Sequence, residues 1–338
     1  MNKTGRLKKI LAGLLRDLTL KLFVIIIVSD FIFSLAGYFR AWPCELASHF
    51  RMQYLAVAAV CAVSFFFFRA RRWLIAALIV LVMNAAVIIP WYVPQPLFAS
   101  GPRTHNFRIV LTNVLWKNKN YAAVIALIRQ ENPDLFILAE VDRPWLAAMK
   151  PLRDSYPHLL TVWEHDGMLA CFSRYPLKDL RTDENFQAII AAMDCDGRPV
   201  SLVALHPPPP TNGKDFRARN AQLATAAQLA RQLPRPLLLI GDLNASLWSP
   251  YFADLLSESG LRAATKGFGV LPTWPNFLAV RDEPKRLNLY PLLRIPIDHC
   301  LVSPEIAVTD CRTGPQVGSD HLPLIVDLLI PDGAGRVN

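Results

Sequence analysis

Cysteine is scarce. Six residues in a chain of 338 cannot form the dense cross-linked framework of a small secreted scaffold. Charge is sparse too, at 19% Asp, Glu, Lys and Arg, while aromatics reach 10%. Unfolded chains have the reverse balance, so wholesale disorder is excluded. No internal repeat or low-complexity tract is present. Acidic residues are nearly missing from one region. Residues 1–100 contain three Asp/Glu against eleven Lys/Arg, whereas residues 101–338 contain 24 against 25. The net charge of +9 is therefore almost wholly N-terminal. A basic excess that flanks apolar segments is a membrane-topology signal, and it removes the usual argument from a basic chain to a nucleic-acid surface.

What the chain has in abundance is apolar residues, 53% against an ordinary share of about 45–50%. Three long runs fall in residues 1–100: 18–38, broken by Lys21 and Asp30, then 52–68, then 73–93. The last has 21 residues without a charge, which as a helix would span roughly 32 Å, close to a bilayer's hydrocarbon core. Trp42, Trp73, Trp91 and Tyr92 sit at the run ends, where amphipathic rings favour the interface. These features predict a helical transmembrane region and a lipid bilayer as partner. Lys3, Arg6, Lys8, Lys9 and Arg16, and then Arg69, Arg71 and Arg72, mark two cytoplasmic segments. Three crossings then put everything after Val93 on the extracytoplasmic side of the cell membrane. The alternative is that the first run is a cleaved signal, with Ser34-Leu35-Ala36 as its small-x-small site. Asp30 reads as a polar residue facing another helix. Pro90, Pro94, Pro96, Gly101 and Pro102 read as a linker.

From about His105 short apolar strands alternate with amphipathic helices. Strands are expected over 107–115, 134–140, 168–173, 188–193, 200–205, 237–240, 297–302 and 322–329, with helices over 119–131 and 218–233. About 230 residues of this kind form one α/β domain, 105–331, with a large core. Polar residues fall at the strand ends, where a packed sheet presents them to a cleft: Asn113, Glu140, His206, Asp242, Asn244, Asp298, Asp320 and His321.

In this order they form a pattern. Thr112-Asn113-Val114, Pro133-Asp134-Leu135, Ala139-Glu140-Val141, Ala204-Leu205-His206, Gly241-Asp242-Leu243-Asn244, Ile297-Asp298-His299 and Gly318-Ser319-Asp320-His321-Leu322-Pro323 together resemble the endonuclease/exonuclease/phosphatase family over about residues 105–331. Ala139 stands where the family more often has Gln before the Glu. The resemblance implies a four-layer sandwich of two mixed β-sheets flanked by helices. It also implies metal-dependent hydrolysis of a phosphoester, most simply a phosphodiester of nucleic acid or of a lipid head group. It makes Glu140 the main ligand of Mg²⁺ (or Mn²⁺), with Asn113 and Asp320 nearby, a hard oxygen set suited to such an ion. Asp242 would activate the attacking water. Asn244 and His206 would donate to the phosphoryl oxygens. His321 would be a charged stabiliser or proton donor, with Asp298 holding its ring. A phosphomonoesterase of the phosphoinositide-phosphatase type and an inactive membrane-tethered binding protein are the other readings. No protein partner follows from the sequence.

Other residues carry less. His299 points away from Asp298 on strand alternation and reads as structural. His158 and His165 fall in a loop-like stretch. Arg219 reads as a solvated helix position, with contact to a substrate phosphate as the alternative. Trp116, Trp248 and Trp274 read as core, with a substrate groove as the alternative. In an oxidising space the four cysteines after residue 100 would pair as Cys171–Cys195 and Cys300–Cys311, or all four would pack as small buried groups.

Overall fold

The computed structural model describes residues 3–94, 104–164, 167–180, 186–276 and 290–331. Two compact units result, Met1–Pro90 and Trp91–Asn338. Most of the proline-rich stretch after Pro94, and His165, lie outside the described residues.

The first unit consists of α1 (Lys3–Ala36), α2 (Arg51–Phe67) and α3 (Arg71–Ile88). Three helical segments, Ile10–Ala36, Cys44–Phe67 and Arg71–Trp91, are long and apolar enough to cross a membrane. Their apolar contacts are Ile27, Ala58, Cys61, Phe65, Ala77 and Val80. A polar strip runs through the same bundle. Asp30, Ser34, Arg51 and Asn84 are all buried. The Asn84 amide donates to Ser34 Oγ at 2.9 Å, Ser34 Oγ donates to Asp30 Oδ1 at 3.4 Å, and Arg51 Nη1 donates to Asn84 Oδ1 at 3.3 Å. Asp30 thus faces other helices, as its isolation in an apolar run predicts.

The second unit begins with β1 (Thr104–Asn113), α4 (Tyr121–Glu131), β2 (Leu135–Val141), α5 (Arg143–Ala148), β3 (His158–Glu164), β4 (Gly167–Ser173), β5 (Leu177–Asp179), β6 (Ala188–Asp194) and β7 (Pro199–Leu205). It continues through α6 (Gly213–Gln232), β8 (Leu237–Asp242), α7 (Pro250–Ser259), β9 (Arg262–Ala263), β10 (Asp298–Val302), β11 (Ala307–Thr313) and β12 (Leu324–Pro331). The strands form two six-stranded sheets, ordered β11-β12-β1-β2-β4-β3 and β5-β6-β7-β8-β10-β9. Each mixes parallel and antiparallel pairs, β1 with β2 and β7 with β8 being parallel. Helices cover the outer faces, so the expected four-layer sandwich is the fold. His158 opens β3 rather than lying in a loop.

Strand alternation sorts the side chains. Phe107, Ile109 and Leu111 of β1 point into the space between the sheets, with Leu202 and Ala204 of β7 and Leu238 and Ile240 of β8. Val110, Phe136 and Leu138 point outward onto α4 and α5, against Val124, Leu127, Ile128 and Trp145. Helix α4 starts at Asn120, whose side chain accepts from the Ala123 amide, and ends at Asn132 in the left-handed conformation, just before Pro133 forbids another turn.

All six cysteines are free thiols, which corrects the expected bridges. Cys171 and Cys195 belong to opposite sheets, on β4 and just after β6, and so do Cys300 and Cys311, on β10 and β11. Facing sheets pack about 10 Å apart, whereas a disulfide needs Cα atoms within about 7 Å. All four fill the inter-sheet core as small apolar groups. Thiol titration of denatured, unreduced protein is expected to count six; a lower count would show a covalent pairing that this packing does not provide.

Candidate active site

The inward stripe of each central strand ends in a polar residue. On β1 it runs Phe107, Ile109, Leu111 and then Asn113; on β7 it runs Val200, Leu202, Ala204 and, one step past the strand, His206. On β8 it is Leu238, Ile240 and then Asp242; on β10, which runs the opposite way, it is Val302, Cys300 and then Asp298. A period of two carries each side chain to the same rim of the inter-sheet space. Asp298 and Asp242 are direct cross-strand partners. Gly241 is demanded by close approach, because a Cβ there would stand 1.8 Å from the Leu205 carbonyl oxygen.

Glu140 arrives differently. Leu138 and Val141 both face the outer layer although three residues apart, and the β2–β4 register shifts between them. This is a β-bulge. It takes Glu140 out of the alternation, and its backbone is left-handed at φ 59°. For a non-glycine residue that conformation costs about 1–2 kcal/mol. Strand periodicity alone places Glu140 on the outer face; the signal for the bulge is present only in the three-residue spacing of two outward apolar residues.

The side chains form one connected network. The Asn113 amide donates to Glu140 Oε1 at 2.8 Å and to Asp242 Oδ2 at 3.2 Å. Asn113 therefore turns its N–H groups, not its oxygen, toward the two carboxylates. The Trp116 backbone N–H donates to Glu140 Oε2 at 3.4 Å. Asp242 Oδ2 lies 3.5 Å from His206 Nε2 and 3.6 Å from His321 Nε2. The other ring nitrogen of His321, Nδ1, donates to Asp298 Oδ2 at 2.8 Å. The Asn244 backbone N–H donates to Asp242 Oδ1 at 3.1 Å, and its amide donates to the Pro207 carbonyl at 3.0 Å. Asn244 is left-handed at φ 49°, a conformation asparagine tolerates better than most residues. Asp320 stands to one side: its Oδ2 accepts from Trp274 Nε1 at 3.1 Å and its Oδ1 accepts from Ser319 Oγ at 3.4 Å. Ser319 in turn ties this segment to β1, donating to the Asn113 carbonyl at 2.6 Å.

Burial and neighbouring charge together set the protonation states. Asp242 and Asp298 are 1% exposed and His321 is 4% exposed. Desolvation, reinforced by the neighbouring Asp298 charge, pushes Asp242 up to about 6. Desolvation opposes charge on His321, but Asp298 and Asp242 outweigh it and raise His321 to about 10. At neutral pH the site holds an imidazolium between carboxylates. Among the described residues Asp242, Asp298 and His321 are the group of His, Cys, Asp or Glu residues close enough to share a metal ion. In that state the His321 ring offers no lone pair to a cation. Outside this triplet, the Glu140 carboxylate oxygens accept from the Asn113 amide and the Trp116 N–H.

Two further residues hold the loop after β8, and their types alone do not disclose it. Arg219 is fully buried on α6, not solvated, and its Nη1 donates to the Asn244 carbonyl at 2.7 Å. His299 Nε2 donates to the Ala245 carbonyl at 2.7 Å, the structural role its orientation predicts. The tryptophans are not core: Trp116 is 46% exposed, and Trp248 and Trp274 are half-buried.

Comparison with known proteins fits this geometry. None of the curated proteins matches the chain. Among solved structures, a humanised D. rerio TDP2 shares 14% identity over 66% of this chain and 98% of its own, with a TM-score of 0.51. An endonuclease/exonuclease/phosphatase from Beutenbergia cavernae DSM 12333 shares 19% identity over 68% of this chain and 72% of its own, also at 0.51. One from Bacteroides vulgatus shares 16% identity over 66% and 98%, at 0.52. Identities this low speak for the fold. The model of the Endonuclease/Exonuclease/phosphatase family matches residues 110–321, from the middle of β1 to His321. That span takes in the whole network from Asn113 to His321, and the chain belongs to the endonuclease/exonuclease/phosphatase family.

Proposed function

We propose that this protein is a divalent-metal-dependent phosphodiesterase. The observation that carries the reading is the linked set Glu140–Asn113–Asp242–His321–Asp298, in which a carboxylate base and a charged acid meet at one rim of the sandwich. Glu140 would hold Mg²⁺ or Mn²⁺, oriented by Asn113 and the Trp116 amide, with Asp320 nearby. Bound there, the cation would neutralise charge on the phosphoryl oxygens. Asp242 accepts the proton of the attacking water as the new P–O bond forms. His321, protonated and fixed by Asp298, gives a proton to the leaving oxygen as the old P–O bond breaks. His206 and the free amide hydrogen of Asn244 donate to the phosphoryl oxygens, where transition-state charge collects.

The three apolar helices anchor the enzyme in the membrane as residues 1–100, ahead of a catalytic domain over 105–331. Arg and Lys placement puts that domain on the extracytoplasmic side. The bond between Ser34 and Asn84 supports retention of the first helix, since it joins the first span to the third.

Glu140→Gln is expected to lower turnover of a simple phosphodiester by orders of magnitude and to raise the Mg²⁺ concentration needed for half-maximal rate. Unchanged turnover at limiting Mg²⁺ would remove Glu140 from the metal site. For the acid–base pair, kcat/KM is expected to fall below about pH 6, as Asp242 takes up its proton, and above about pH 10, as His321 loses its own. Asp298→Ala should move the alkaline limb to lower pH, and its loss should be far less than additive with His321→Ala. Additive losses would separate the two residues. An alkaline-phosphatase reporter fused after Asn338 should be active, and a reporter that fluoresces only in the cytoplasm should be dark there. The reverse pattern would overturn the three-span topology.

A further inference from the structure

Asn118 takes no part in the acid–base network and lies in no strand or helix. It is nonetheless only 8% exposed, and its side chain is bonded at both ends. The amide Nδ2 donates to the Val114 carbonyl at 3.1 Å and to the Val317 carbonyl at 3.2 Å, and Oδ1 accepts from the Asn120 N–H at 2.9 Å. The Asn118 carbonyl accepts from Trp145 Nε1 at 3.1 Å, which ties the residue to α5. Gly318 is fitted to it: its φ is 92°, and a Cβ there would stand 2.6 Å from Asn118 Oδ1.

These bonds join two turns. Residues 114–120 present the Trp116 N–H that donates to Glu140 Oε2. Residues 317–321 deliver Asp320 and His321, with the His321 N–H held by Ser319 Oγ. Val114 and Val317 already share one apolar cluster, so burial alone would keep the turns together. Apolar attraction has no direction and leaves them free to slide. A planar amide with three directed bonds fixes their offset. The site also divides by sheet. Asn113, Glu140 and His321 sit on β1, on β2 and just before β12, whereas His206, Asp242, Asn244 and Asp298 sit on or beside β7, β8 and β10 of the other sheet. Among the described residues, the side-chain bonds of Asn118 all stay on the first side.

We propose that Asn118 is a positioning residue, which sets the Glu140 carboxylate and the His321 ring at their working separation by locking the turn that orients one to the turn that carries the other. The inference rests on the phosphodiesterase reading above and adds to that site a residue that touches neither substrate nor reacting atoms. Its effect falls on kcat, because a misplacement of about 1 Å costs about 100-fold in rate. KM is spared, because His206 and Asn244, which meet the phosphoryl oxygens in that reading, belong to the other sheet.

The test uses the full chain in detergent, with saturating Mg²⁺ and bis-p-nitrophenyl phosphate as the diester. The proteins are wild type, Asn118→Ala, Gly318→Ala and the double variant. Each single variant should lower kcat about 100-fold, with KM within about twofold. The double variant should lose much less than the product of the two, because Asn118→Ala removes the atom on which the new Cβ would press. Amide hydrogen exchange, read on protein with isotope-labelled Trp and His, separates positioning from a general loss of stability. The Trp116 and His321 amides should lose protection in both single variants, while the His299 amide, inside β10, keeps its own. Unchanged kcat, a loss carried by KM, multiplicative losses in the double variant, or an equal loss of protection at His299 would overturn the inference. If Asn118→Ala does not fold, Gly318→Ala decides by the same kcat and exchange readouts. If wild type hydrolyses no diester, the phosphodiesterase reading fails and exchange alone decides this one: retained protection at Trp116 and His321 in Asn118→Ala would refute it.

Discussion

Two carboxylates stand directly opposite one another across β8 and β10, Asp242 against Asp298, both stripped of water. Like charges in that relation destabilise a sheet, and here they sit at the ends of apolar stripes with little dielectric to screen them. The arrangement is tolerable because His321 enters between them with a nitrogen for each. Much of the surrounding structure serves that insertion. The Ser319 hydroxyl bonds β1 and accepts from the His321 backbone N–H at 3.0 Å, so the ring comes from a segment tied to the opposite sheet. The site is therefore also a clasp between the two sheets.

The proton balance of this clasp has a definite direction. His321 and Asp242 both hold their protons more tightly when buried in this cluster than in an unfolded chain. Both shifts favour the folded state at lower pH. The share from Asp242 fades as pH rises from 3.8 through about 6, and that from His321 as pH rises from 6.5 through about 10. Ionised Asp242, the form that can act as a base, is thus bought with some stability.

Much of this was legible in the chain itself, because period-two patterning is a property of sequence. The stripes ending in Asn113, His206, Asp242 and Asp298 can be read by counting; the sandwich was implied by the family resemblance. Glu140 was recognisable as a site residue by motif but not by geometry, since the bulge that aims it breaks the alternation. Helix α6 shows a polar surface pattern that hides Arg219, buried at its site-facing end. Strands β3, β5, β9 and β11 escaped notice: they are the edge strands of the two sheets, short or mixing apolar with polar residues, and a strand with one neighbour is weakly marked. The cysteines misled because closeness along the chain suggested hairpins, while the chain was in fact crossing from one sheet to the other.

The polar strip in the first unit bears on how such an anchor is made. If the helices span a bilayer, the first emerges from the ribosome carrying Asp30, which costs about 2.5–3.5 kcal/mol to place mid-membrane alone. Its relay to Asn84 through Ser34 depends on a residue that is translated 50 positions after Ser34. The first helix then has only its own Ser34 beside Asp30 until the second and third helices supply Arg51 and Asn84. Under that condition the polar strip around Asp30 is completed only once the helix that carries Asn84 has been made.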